Sequence, residues 1–223
     1  MANIPYRKSL YVGILLTILS LLENLLFYSP LMIFYTVLSI LIPIKYRNFN
    51  YDFKIDYKIF LKYLLFSLLF TVVFFTVVNF TLAKLNLIGN YYYDINGCFK
   101  LFINTISLKF NISQDFVIYF LVFHLLIISP ISEELFYRGY LLNGFGGGQK
   151  GIFLSSLLFA IRHLFHFLIL PTYPIFSEML YFISTFIYGI ILSKSYLDSK
   201  NIFIPLLIHI LSNILIVVSI FLI

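Results

Sequence analysis

Three polar patterns interrupt otherwise apolar runs of this sequence: Glu133-Glu134-x-x-x-Arg138, Phe159-x-x-x-His163 and His209-x-x-x-Asn213. Together they offer acids, two imidazoles and an amide. Those are the parts needed to activate water, carry a proton and stabilise an oxyanion at a carbonyl. Glu134 and Arg138 are four apart, so on a helix they share a face and can pair. Glu133 then points about 100° away and is left for other work. His209 and Asn213 likewise share one helix face. Pro130 and Pro205 lie shortly before Glu133 and His209, and each removes a backbone donor. Membrane helices tolerate this where the freed groups line a cavity.

Each residue also has a plainer reading. The acids and Arg138 could be a salt-bridge cluster at a membrane boundary, and either histidine alone could be a helix-to-helix hydrogen bond. Their joint depth, argued below, favours a site. His166 reads as a neighbour or orienting group of His163, and His124 as a packing histidine. Gly144, Gly146, Gly147 and Gly148 form a turn rather than a phosphate loop, because no Gly-Lys-Ser/Thr follows. Asp52, Asp94 and Asp198 read as solvated loop residues.

The elements that must position these groups follow from composition. Hydrophobic residues make up 61% of the 223, charged residues only 11%, and mean hydropathy is +1.00. Globular chains carry about 25% charged residues, so a soluble domain is excluded. The net charge of +6 comes from basic residues lying between apolar runs. That is positive-inside anchoring to a lipid bilayer, not the continuous basic face that nucleic acid needs. Cys98 is the single cysteine, which excludes a disulfide or a thiolate metal cluster.

The expected fold is all-α, a polytopic membrane protein of about seven transmembrane helices, or eight if part of 86–111 dips into the bilayer. The spans are 10–27, 31–44, 63–82, 115–142, 151–170, 175–192 and 202–223. Tight turns are expected at Tyr28-Ser29-Pro30 and Pro171-Thr172-Tyr173-Pro174, and an interfacial segment at 83–114. The first span reads as retained, since no small-residue cleavage site follows it. Residues 1–223 form a single membrane domain, with the chemistry in 114–215. Arg7 and Lys8 place the N-terminus in the cytoplasm. Counted inward from the cytoplasmic helix ends, Glu133, His163 and His209 lie at roughly 16, 18 and 12 Å on the α-helical rise. Three helices thus bring ionisable groups to one depth, in the cytoplasmic half of the bilayer.

With these motifs in order over 130–213, the sequence resembles the CPBP intramembrane proteases. That family includes CAAX prenyl endopeptidases and bacteriocin-immunity (Abi) proteins. Tyr188-Gly189 is similar to a further, looser family element. The resemblance implies an endopeptidase acting on a membrane-associated peptide or protein, a prenylated one if it acts as a CAAX protease. Glu133 would activate water, His163 would share the water or its proton, and His209 with Asn213 would form the oxyanion hole. Glu134 and Arg138 would be the supporting pair. No cofactor is required in that scheme. The alternative is zinc, held by Glu133 (or Glu134), His163 and His209. An amide such as Asn213 suits an oxyanion better than zinc. No His-Glu-x-x-His, Gly-x-Gly-Asp or Gly-x-Ser-x-Gly occurs, so other protease plans are excluded. A non-enzymatic immunity or interaction protein of the same fold stays open. So does a small proton-coupled transporter, although the sequence lacks paired repeat halves.

Overall fold

The computed structural model describes residues 5–25, 31–46, 49–50, 52, 54–74, 103–104, 107–164 and 175–222. Within them all regular structure is helical. In chain order the helices are α1 (Tyr6–Leu25), α2 (Leu31–Tyr46), α3 (Tyr57–Val72), α4 (Gln114–Leu142), α5 (Gly148–Arg162), α6 (Ile175–Ser199) and α7 (Phe203–Leu222). The expected turns at 28–30 and 171–174, the segment 83–102 with Asp94 and Cys98, and His166 lie outside the described residues.

Local chemistry sets several boundaries that apolar runs alone misplace. α3 starts at Tyr57 rather than Tyr63 because Asp56 caps it, accepting from the backbone of Lys58 at 3.0 Å and Ile59 at 3.2 Å. α6 continues past Leu192 to Ser199, so the expected loop at 194–201 shrinks to the turn around Lys200. The extra turns are anchored by the Tyr196 hydroxyl, which accepts from Asn143 Nδ2 at 2.8 Å. α5 ends at Arg162, short of the expected Leu170. It starts at Gly148 after Gly146 and Gly147, and all three are at positive φ. Gly147 at φ 69° returns its N–H to Leu142 O at 2.9 Å, satisfying one of the last carbonyls of α4.

α4 is the helix around which the others pack; α1, α2, α5, α6 and α7 all lie against it, while α3 lies on α6 and α7. It is continuous over 29 residues but not uniform. Two stretches, His124–Ile128 and Glu134–Leu142, are wound as π-helix on either side of Pro130. Wide turns of this kind leave carbonyls for other donors and recur at functional sites.

The distribution of polarity is the reverse of a water-soluble bundle. Glu133, Glu134, Arg138 and His209 are buried, with hydroxyls such as Thr17, Ser39, Ser67, Ser156 and Ser193. Exposed faces carry Tyr11, Leu15, Ile33, Leu65, Phe66 and Tyr119. Gln114–Leu142 and Glu178–Ser199 are long and apolar enough to cross a membrane, and Ile33–Tyr46 and Phe203–Val218 are shorter apolar helices.

Candidate active site

The site lies where the middle of α4 meets the end of α5 and the first turns of α7. On α4 the adjacent acids separate as the 100° rotation requires, and both are buried. Glu134 Oε1 accepts from Arg138 Nη1 at 3.0 Å, with both side chains wholly inaccessible. Arg138 Nη2 reaches Gly189 O on α6 at 3.3 Å, and its guanidinium lies 4.6 Å over the ring of Phe159. Gly189 is also where α6 comes close to α5. A Cβ there would sit 3.1–3.2 Å from Ser156 Cβ and Cα on α5. The Tyr188-Gly189 element thus fastens α5, α6 and the supporting pair together.

His163 terminates α5 in the bridge region, at φ −85° and ψ 1°. Its Nδ1 lies 2.7 Å from Phe159 O. A carbonyl only accepts, so Nδ1 carries the proton and caps one of the helix's last carbonyls, leaving Nε2 for other work. His209 is oriented the same way by a different partner, its Nδ1 lying 2.7 Å from Glu134 Oε1. The Phe159 ring packs against both, 4.5 Å from His163 and 6.1 Å from His209, centroid to centroid.

Both Nε2 atoms turn toward Glu133. Each lies 3.9 Å from Glu133 Oε2, an atom that makes no hydrogen bond among the described residues. That spacing is too long for a direct hydrogen bond and suits one water touching all three. The ligand atoms of a tetrahedral zinc with bonds near 2.05 Å stand about 3.4 Å apart, closer than these. Among the described residues no three His, Cys, Asp or Glu side chains are grouped to hold a metal ion.

Asn213 lies one turn beyond His209, and its Nδ2 donates to Leu125 O at 2.8 Å. That carbonyl belongs to the first π stretch of α4. One amide N–H thus ties α7 to α4, and the amide has one more N–H to offer. The other oxygen of Glu133, Oε1, accepts from Ser129 Oγ and pairs with Arg162 Nη1. Neither Ser129 nor Arg162 belongs to the three sequence patterns. Arg162 could have been found as a cation inside an apolar run, beside His163. His124, at the start of the first π stretch, stacks on Phe120 at 6.2 Å, consistent with a packing histidine.

Residues 115–215 match the family model of the Rce1-like proteins, type II CAAX prenyl endopeptidases. This bears out the resemblance carried by the three motifs. No curated protein and no solved structure matches the chain.

Proposed function

We propose, on the premise that residues 115–215 carry the Rce1-like type II CAAX prenyl endopeptidase pattern, that this protein is an intramembrane endopeptidase in which Glu133 activates water. One observation carries the reading: Glu133 Oε2 faces Nε2 of both His163 and His209 at 3.9 Å, in a buried setting. Glu133 Oε2 takes a proton from the shared water as the oxygen attacks the scissile carbonyl. The carbon becomes tetrahedral and its oxygen takes the charge. His209, turned by its Nδ1 contact with Glu134, presents Nε2–H to that oxyanion, and the remaining amide N–H of Asn213 is the second donor. His163 relays the proton to the leaving amine, the C–N bond breaks, and a carboxylate and an amine leave. No step needs a metal.

The substrate class is a membrane-associated peptide near a prenylated cysteine. Its lipid would lie between helices and contribute about 0.8 kcal/mol per buried CH₂. The chain makes about seven crossings in this reading, with its N-terminus in the cytoplasm. Lys8, Lys45, Lys54, Lys62, Lys150 and Lys200 support that orientation. They stand at helix ends that meet, as the Lys62–Asp198 pair at 3.5 Å and the Asn201 Nδ2–Lys54 O bond at 3.1 Å indicate.

The test is purified chain in bilayers with a farnesylated CAAX peptide, with and without chelator. Cleavage that survives chelation and is lost in Glu133→Ala, with folding retained, is expected. Loss of cleavage on chelation overturns the metal-free scheme. A folded wild type that cuts nothing leaves the immunity or interaction protein as the reading.

A further inference from the structure

Two buried acids stand side by side on α4, and each has its own arginine. Arg138 serves Glu134 from one turn along the same helix. Arg162 serves Glu133 from another helix, through Nη1 on Oε1. A buried carboxylate without a countercharge is costly. Arg162 supplies that charge without covering Oε2, the oxygen turned toward the histidines.

The guanidinium is itself held. Its Nε donates to Ser20 Oγ on α1 at 3.1 Å, and it lies 4.7 Å over the ring of Tyr35 on α2. Ser20 and Tyr35 are buried, and both lie outside the family-matched residues 115–215. Arg162 also ends α5, where a cation is favoured by the helix dipole. One side chain thus joins the first helical hairpin to the proposed base.

We infer that Arg162 is a positioning residue, clamped by Ser20 and Tyr35 of the α1–α2 hairpin, which fixes the Glu133 carboxylate so that Oε2 addresses the water site. This rests on the hydrolase reading above. In it the hairpin is a working part of the site rather than an anchor.

The experiment measures kcat and KM for prenyl-peptide cleavage by full-length wild type, Arg162→Gln, Arg162→Lys, Ser20→Ala and Tyr35→Leu in bilayers. Thermal unfolding of Glu133→Gln, Arg162→Gln and the double variant runs in parallel. Arg162→Gln should lose at least tenfold in kcat with KM within about twofold of wild type. Arg162→Lys, or added guanidinium ion, should recover part of the loss, which a merely structural role would not allow. Ser20→Ala and Tyr35→Leu loosen the clamp without removing the charge and should lower kcat at least threefold; they decide the matter if Arg162→Gln does not fold. The double variant should unfold at a higher temperature than either single one. Full kcat in Arg162→Gln, or in both clamp variants, overturns the inference alone, as does strict additivity of the unfolding shifts. A wild type that cuts no peptide overturns the hydrolase reading and this inference with it.

Discussion

Glu134 is the residue on which the supporting network converges, accepting from Arg138 at 3.0 Å and from His209 at 2.7 Å. Removing one partner of a buried ion pair strands the other, at a cost of about 3–5 kcal/mol. Arg138→Ala is therefore expected to lower stability by about 3 kcal/mol, read as an earlier thermal transition in bilayers. Glu134→Ala should do the same and also release His209. A variant unfolding with wild type would show that the pair is not buried as described. The Glu134–Arg138 pair was legible from a spacing of four, because periodicity fixes which side chains share a face. Spacing could not show that Nδ1 of His209 turns to Glu134, since that contact joins residues 75 apart in sequence. Arg162 carried a readable signal, a charge within an apolar run, but its partner lies on another helix.

At the scale of elements, α4 was legible from end to end while its winding was not. Apolar residues and the Ser113 cap, which accepts from Phe116 N at 3.3 Å, mark its start. Nothing in a run of Leu and Ile distinguishes π from α, so His124–Ile128 read as ordinary helix. Its geometry makes a sharp prediction. Inserting one alanine after Leu126, in a stretch already wound wide, would rotate Glu133 by about 100° relative to Val117 and Leu121. Cleavage should vanish while far-ultraviolet circular dichroism keeps its helical amplitude; retained cleavage would mean the wide turns do not aim the base. At the α5–α6 contact, Gly189→Ala should cost about 1–3 kcal/mol by overpacking against Ser156. Ser156→Gly in the same chain removes the Cβ contact but leaves Ser156 Cα at 3.2 Å and Phe159 Cδ1 at 3.3 Å, so it should recover only part of the loss in a thermal-shift comparison.

Across the whole molecule, the composition announced apolar outer faces, and the structure places exposed apolar side chains on several helices. Leu65 and Phe66 on α3 are exposed, and their neighbour Ser67 is buried, its Oγ 2.8 Å from Ser212 Oγ on α7. Leu65→Arg would place a charge against acyl chains, at about 2.5–3.5 kcal/mol if near the bilayer centre. The variant should unfold at a clearly lower temperature in bilayers, with far less loss in Leu65→Ala. Equal stability of Leu65→Arg and Leu65→Ala would place that face of α3 in water. The number of crossings was less legible, because helices such as α5, at 15 residues, end before a bilayer is crossed.

The reversed polarity carries a practical corollary for handling this protein. Its inner hydroxyl and charge contacts, such as Ser67 with Ser212 and Glu134 with Arg138, compete with any solvent that wets them. Long-chain, slow-exchanging amphiphiles that keep the interior dry should preserve the assembled state. Short-chain surfactants with large, hydrated micelles should loosen it first at the α3–α7 seam, where Ser67 and Ser212 meet, well before the helices themselves melt.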